Sequence, residues 1–150
     1  MEHGTNLVNV LLLDRDDIPA FWGHIKGYLS DALDKSQWSE RYPLPSLYAD
    51  LLTGDSQCWI VSKNQLIIGV AVTQEIQYPL GKSLFVYLLG GKSMDEWACR
   101  LHKEFDIHAQ GNNIKWIDAC ARHGLGKKYL VRIGYHAVSN HYCYKVKDNG

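Results

Sequence analysis

The stretch Leu84-Phe-Val-Tyr-Leu-Leu-Gly-Gly-Lys-Ser-Met-Asp-Glu-Trp97 sets the architecture predicted for this chain. Its first part, Leu84 to Leu89, is a run of six apolar residues without a period of two, which predicts a strand buried on both faces. Gly90 and Gly91 follow, and glycines adopt the backbone angles of tight turns without steric cost. We therefore expect the strand to break at these two glycines.

A helix is predicted directly after the glycines. Ser93 and Glu96 form a Ser-x-x-Glu capping box, which places the helix start near Met94. Such a junction exposes backbone N–H groups that can bind an anion, although turns of this kind also occur without a ligand. It is not a P-loop, because a Walker A motif needs a glycine where this chain has Val86. The apolar face of the helix consists of Met94, Trp97, Ala98, Leu101 and Phe105.

Composition is that of an ordinary globular domain. The chain has 150 residues, 46% of them hydrophobic and 21% charged, so residues 1–150 are predicted to form one domain. Lys plus Arg and Asp plus Glu each total 16, so no net charge attracts nucleic acid or a membrane surface. No run approaches the roughly 20 apolar residues of a membrane span. Nucleic acid and membrane are therefore not expected as partners.

Cysteine and histidine usage indicates neither a disulfide framework nor a metal site. The four cysteines are scattered and form no C-x-x-C pair, which is typical of reduced thiols in a cytoplasmic protein. The seven histidines show no metal-ligand spacing with carboxylates or cysteines. We therefore expect a cytoplasmic location and no bound metal.

The chain outside the central stretch alternates between strand and helix patterns. The predicted order is β, α, α, β, β, β, α, β, α, β, β, with a hairpin turn at Lys63-Asn64 and a final hairpin turn at Asn140. This order predicts a mixed α/β fold, with antiparallel strands in the N-terminal half, a parallel βαβ crossover and helices on both faces of the sheet. The predicted elements are strand Leu7–Leu13, helix Ile18–Leu33, helix Ser46–Leu52, strand Cys58–Ser62, strand Gln65–Gln77, strand Leu84–Leu89, the helix from Met94, strand Ile114–Cys120, a helix from Gly124 or Gly126 to Ile133 closed by Gly134, and strands Tyr135–Ser139 and His141–Val146.

This order resembles the GCN5-related N-acetyltransferase (GNAT) superfamily over nearly the whole chain. The closing segment from Lys127 to Tyr135 is similar to the aromatic and leucine-glycine ending of that family's last helix, and Gly54 to Val72 is similar to its second and third strands. The resemblance implies acetyl transfer from acetyl-coenzyme A (acetyl-CoA) to an amine, either a small molecule or a protein. It also implies a cofactor bound between the fourth and fifth strands.

The resemblance assigns site residues by position. Tyr87, Leu88 and Leu89 would line the pantetheine arm, and Gly90, Gly91, Lys92, Ser93 and Met94 would hold the pyrophosphate, with Lys92 as a counter-charge. Glu75 on the long strand is the candidate general base, with a solvated edge carboxylate as the alternative. Tyr129 is the candidate proton donor.

The chain departs from the family pattern at two places. Its cofactor turn, Gly90 to Ser93, is shorter than the family's glycine motif and offers fewer amides. The family's tyrosine falls on Leu130, and Tyr129 lies about 100° round the helix from it. This degenerate motif is also similar to acetyltransferase-like internal or accessory virion proteins of short-tailed phages. The second hypothesis is therefore a catalytically inactive assembly or virion-associated protein, with phage structural proteins as partners in the host cytoplasm or the virion.

Overall fold

The computed structural model describes residues 7–36, 38–120, 129–138 and 142–147. Strands and helices alternate largely in the predicted order. The elements are β1 (Val8–Leu12), a 3-10 turn (Arg15–Asp17), α1 (Ile18–Asp34), α2 (Leu44–Thr53), β2 (Gln57–Lys63), β3 (Leu66–Tyr78), β4 (Gly81–Gly91), α3 (Met94–Gly111), β5 (Ile114–Ala119) and the short turn α4 (Val131–Ile133).

The described strands form one mixed sheet in the order β1-β2-β3-β4-β5. The first four strands pair antiparallel, and β5 lies parallel to β4 after the α3 crossover. Helices α1 and α2 pack on one face of this sheet and α3 packs on the other. The predicted fold class, with its antiparallel half, parallel crossover and helices on both faces, is confirmed.

The two faces of the sheet bury separate apolar layers. β4 contributes to both layers, which confirms that Leu84 to Leu89 is a strand buried on two sides. The layer under α1 and α2 includes Ile25, Leu29, Leu47, Val70, Val72, Tyr87 and Leu88. The layer under α3 includes Trp59, Val61, Ala71, Leu84, Val86, Trp97, Leu101 and Phe105.

A bulge in β4 changes which face its residues occupy. Val72 pairs with Leu88 and Thr73 pairs with Val86, so Tyr87 is an extra residue in the ladder. Tyr87 and Leu88 therefore both pack on the α1–α2 face. After this bulge, successive residues of β4 again alternate between the two faces of the sheet.

The prediction that Gly90 and Gly91 break the strand is wrong. Both glycines stay in β4, where they pair with Val70 and Gly69. A Cβ at Gly90 would lie 2.8 Å from the Tyr28 carbonyl oxygen. The glycines therefore allow close approach of neighbouring backbone, and the turn that follows them is confined to Lys92 and Ser93.

The helix after β4 begins at Met94 as predicted, but the predicted capping box is wrong. Ser93 has a φ of 55°, in the left-handed region, and its side chain makes no capping hydrogen bond. A capping residue normally has extended backbone angles, which direct its oxygen at the following amides. The Glu96 carboxylate instead contacts the Lys63 ammonium at 2.9 Å.

Two predicted positions, a hairpin turn and a helix start, differ from the structure by one or two residues. The hairpin turn between β2 and β3 consists of Asn64 and Gln65, both at positive φ, rather than Lys63 and Asn64. Helix α2 begins at Leu44 rather than Ser46, because Pro45 is tolerated in a first helical turn.

The C-terminal part agrees only partly with its prediction. Val131–Ile133 is helical and ends at Gly134, which has a φ of 127°. The predicted start of this helix, at Gly124 or Gly126, lies outside the described residues, as does Asn140. Within residues 135–138 and 142–147 there is no strand, so the predicted final hairpin is wrong there. The Tyr135 amide donates instead to the Leu130 carbonyl, which folds the backbone back on the helical turn.

Among the described residues, no helix has the length and apolar character needed to cross a bilayer.

Gly91→Ala should destabilise the fold strongly. Gly91 has a φ of 137°, and an added Cβ would lie 2.3 Å from the Ile68 carbonyl oxygen. We expect a loss of about 2–4 kcal/mol in the free energy of unfolding, measured by urea denaturation. Gly111→Ala is the matched control, because nothing lies within 4 Å of its Cβ position and the change should be below about 1 kcal/mol. Equal urea midpoints for the two variants would contradict this account.

Candidate functional site

β4 and β5 part at their carboxyl ends and form a wedge-shaped cleft, which we call the β4–β5 wedge. Their pairing ends at Val86 and Ala119, followed by one bond from the Cys120 amide to the Val86 carbonyl at 3.3 Å. β4 continues to Gly91 without β5 beside it. Crevices at the carboxyl ends of parallel strands are the usual ligand sites of α/β sheets.

Part of the β4 backbone faces this wedge. The Lys92 amide donates to the Ile68 carbonyl at 2.8 Å, which fixes the phase of the antiparallel ladder between β3 and β4. Hydrogen-bonding direction alternates along such a ladder, so the N–H and C=O groups of Leu89 and Gly91 point away from β3 and toward the wedge. An extended ligand with amide groups could therefore pair with β4 as an added strand does.

Tyr87 contributes little to the wedge itself. Its side chain is buried on the α1–α2 face together with Leu88. Its carbonyl, released from the ladder by the bulge, accepts a hydrogen bond from the Trp38 indole N–H at 3.2 Å. The loop between α1 and α2 thus covers the bulge and satisfies its exposed carbonyl group.

A hydrogen-bonded network anchors the Tyr87 ring. Its hydroxyl lies 2.9 Å from the Ser56 Oγ, which also accepts from the Gln74 amide at 3.0 Å. The Tyr42 ring stacks on the Tyr87 ring, and the Tyr42 hydroxyl donates to the Asp50 carboxylate. Burial raises the pKa of Tyr87 and, with the bond to Asp50, that of Tyr42. Both phenols therefore stay protonated at neutral pH.

The start of α3 supplies the positive end of a helix dipole beside the wedge. The first amides of any helix lack intrahelical acceptors, which includes those near Ser93 and Met94. The exposed Lys92 side chain adds positive charge, but Asp95 and Glu96 in the first turn oppose an anion. The Lys92 amide already donates to the Ile68 carbonyl, so it is not available to bind an anion.

A small apolar cavity of about 30 Å³ lies on the α3 side of the wedge, with room for roughly one or two water molecules. Tyr129 and Leu130 both form part of its wall, together with Leu89 and Met94. The remaining lining residues are Val86, Trp97, Ala98, Leu101, His102, Phe105, Ala119, Ile133 and Tyr135.

His102 and Tyr135 are the polar pair on this cavity wall, and sequence analysis missed both. The His102 Nδ1 lies 2.9 Å from the Tyr135 hydroxyl. Burial lowers the pKa of His102, partly offset by the nearby Asp106 carboxylate, and burial raises the pKa of Tyr135. At neutral pH the pair is therefore a neutral imidazole against a neutral phenol. Their separation of 33 residues left no local signal.

Glu75, the carboxylate proposed from sequence, lies on the α3 side of the sheet. It pairs across the ladder with Leu84, which belongs to the layer under α3. Its carboxylate contacts the Lys82 ammonium at 3.2 Å. Glu75 thus has a cationic partner and faces away from the bulge residue Tyr87.

Asp118 near the end of β5 is a second carboxylate that sequence analysis missed. It pairs with Phe85, one residue before β4 and β5 part. The buried Ser83 hydroxyl donates to its carboxylate. A sequence signal existed, because an acidic residue at the carboxyl end of a parallel strand lies at the edge where ligands bind.

No group of three His, Cys, Asp or Glu residues in the described part of the chain could hold a metal ion.

The pH dependence of stability should change in His102→Gln. A His pKa lowered by folding contributes stability that is fully present above its unfolded value of about 6.5 and is lost as the pH falls through the folded value. We expect the wild-type protein to lose more stability between pH 7.5 and pH 5.5 than His102→Gln, measured by urea denaturation. His136→Gln, at an exposed position, is the control, and it should lose as much stability between these pH values as the wild type. Parallel curves for wild type and His102→Gln would contradict this assignment.

Solved acetyltransferase structures share this fold. An aminoglycoside N-acetyltransferase in complex with CoA matches with a TM-score of 0.71 at 13% identity, over 95% of this chain and 97% of that one. An aminoglycoside acetyltransferase from an uncultured soil metagenomic sample, in complex with sisomicin, matches with a TM-score of 0.70 at 11% identity, over 93% and 97%. A GNAT family acetyltransferase of Staphylococcus aureus matches with a TM-score of 0.65 at 13% identity, over 93% and 98%.

Sequence comparison adds nothing to this likeness, since no protein-family model and no curated protein matches the chain. Identities of 11 to 13% establish the fold alone. The chain has the fold of the GNAT acetyltransferases.

Proposed function

We propose that this protein transfers an acetyl group from acetyl-CoA to an amine. The observation that carries the proposal is the β4–β5 wedge, in which the backbone groups of Leu89 and Gly91 point away from β3 and pair with no strand among the described residues, at the carboxyl end of two parallel strands. A fold shared with an acetyltransferase in complex with CoA supports the same conclusion.

The residues around the wedge fit the chemical parts of the cofactor. Leu89 and Gly91 would pair with the amides of the pantetheine arm, while the side chains of Tyr87 and Leu88 buttress β4 from the other face. Gly90 lets β4 pass close to α1, and Lys92, Ser93 and Met94 would place positive charge and helix amides at the pyrophosphate. Bound there, acetyl-CoA would supply the activated thioester.

The reaction forms a C–N bond and breaks a C–S bond. The amine must lose its proton before it attacks, and β4 backbone N–H groups would stabilise the negative charge on the thioester oxygen. Tyr129 remains the candidate proton donor to the departing sulfur, since it lines the cavity beside the wedge. Glu75, the base suggested by the sequence, contacts Lys82 and lies on the α3 side of the sheet.

A second candidate function is a catalytically inactive scaffold, an assembly or virion-associated protein of a phage that would contact phage structural proteins. Three features in and near the cofactor turn favour it. The Lys92 amide is engaged by Ile68, Trp38 engages the Tyr87 carbonyl, and acidic Asp95 and Glu96 begin α3. Its setting would be the host cytoplasm or the virion, whereas the enzyme would act in the cytoplasm.

Lys92→Glu should weaken acetyl-CoA binding about tenfold, because a carboxylate would replace the one cationic side chain of the turn between β4 and α3. Isothermal titration calorimetry of acetyl-CoA and of CoA measures this. Lys103→Glu is the matched control, since it makes the same charge change at an exposed position further along α3. Its affinity should equal that of the wild type.

The same titration separates the two candidate functions. A wild-type protein that binds neither acetyl-CoA nor CoA at millimolar concentration is not an acetyltransferase, and the scaffold hypothesis then stands. Equal affinities of Lys92→Glu and Lys103→Glu would place the pyrophosphate elsewhere.

A further inference from the structure

We propose that Asp118, with Ser83 behind it and Trp116 beside it, forms the acceptor site, which binds a primary ammonium group and takes its proton. This inference rests on the proposed acetyl transfer and adds to it the class of acceptor and the identity of the base. It uses the α1–α2 face of the sheet, opposite the cavity next to α3.

Strand register places these side chains on one face. Phe85 pairs with Asp118, and Ser83 pairs with Trp116. Phe85 packs against the layer under α1 and α2. Residues directly paired across two strands point to the same face of the sheet, as do residues two apart along one strand. Asp118 and Trp116 therefore share the α1–α2 face with Phe85.

Ser83 fixes the carboxylate. Its side chain is fully buried, with 0% exposure, and its hydroxyl donates to Asp118 Oδ2. This bond to a buried donor orients the carboxylate, and among the described residues no hydrogen bond occupies Oδ1, which can accept from a ligand. Among residues that the structure describes, Asp118 takes part in no salt bridge. Glu75, by contrast, is bound to Lys82.

Trp116 supplies a surface suited to a cation. Its side chain is 38% exposed, although it is a large aromatic ring. The Lys115 ammonium already lies 4.9 Å from the centroid of this ring, which shows that the ring face accepts a positive charge. An ammonium ligand would replace the ammonium of this exposed lysine at the ring and gain the Asp118 carboxylate as well.

The position of Asp118 suits proton transfer at the wedge. β4 and β5 part at Val86 and Ala119, one residue beyond the Phe85–Asp118 pair. The bulge at Tyr87 is two residues along β4, about 7 Å away at the rise of a strand. A base at that separation reaches an amine at the wedge directly or through one water molecule.

The proposed step is a direct attack of the acceptor amine on the thioester. The ammonium gives one proton to the Asp118 carboxylate, and the freed nitrogen lone pair attacks the thioester carbon. The new C–N bond forms, the nitrogen loses its second proton as the C–S bond breaks, and the departing thiolate takes up that proton. Asp118 then returns its proton to solvent, so no oxidant or further reactant is needed.

Asp118→Asn tests the proposal, because asparagine keeps an oxygen that accepts from Ser83 and loses the charge and the base. Calorimetry without cofactor, with 1,5-diaminopentane and sisomicin as probes, should show about tenfold weaker binding than the wild type. The rate of acetyl transfer to the same amines should fall about 100-fold. Asp16→Asn, at an exposed position in the 3-10 turn, is the matched control and should change neither quantity.

Trp116→Ala is the second variant, in case Asp118→Asn does not fold. It should weaken binding of the same amines several-fold and leave acetyl-CoA affinity unchanged, with circular dichroism to confirm folding. Amine binding and transfer at wild-type levels in Asp118→Asn would overturn the proposal, as would a wild-type protein that binds neither amine. Amine binding that depends on Asp118, in a protein that fails to bind acetyl-CoA, would support the acceptor site while the proposed acetyl transfer fails.

Discussion

The Trp97 ring lies against the backbone of Gly69, and this contact fixes where α3 begins. A Cβ at Gly69 would be 2.6 Å from the ring, so no larger residue fits between the helix and β3. Trp97 is fully buried, and its indole N–H donates to the Lys92 carbonyl at 2.7 Å. One side chain thus ties the first turn of α3 to both the preceding turn and the sheet. The mouth of the β4–β5 wedge is defined by this attachment.

Glycines also allow close packing at the end of β4, where the strand backbone approaches α1 and β3. Gly90 lies under α1 and Gly91 lies against Ile68, so the strand reaches further than a residue with a side chain would permit. β4 extends beyond the last pair that it forms with β5, and among the described residues no strand pairs with that side of its last residues. Gly90 and Gly91, which were predicted to form a tight turn before the helix, instead extend β4. Affinity for a cofactor would come from strand-like pairing more than from a phosphate cradle.

The two sides of the wedge differ in chemistry. The α3 side is apolar, with His102 and Tyr135 both kept neutral by burial. The α1–α2 side has the buried Tyr87 network at the bulge and the Asp118 carboxylate below it. An apolar wall on one side and a carboxylate on the other suit the proposed arrangement, in which a bound thioester would face a cationic acceptor.

Local pattern was enough to determine the first five strands, the main helices and their order. The apolar run Leu84 to Leu89 and the helical face with Trp97 each depend on neighbouring residues, so periodicity alone identified them. Tertiary structure decided what long-range pairing controls. Gly90 and Gly91 stay in a strand because Val70 and Gly69 pair with them, and Ser93 makes no cap because its backbone is left-handed. The Ser83 and Asp118 contact, 35 residues apart, exists only because β5 lies parallel to β4, and no local propensity encodes that adjacency.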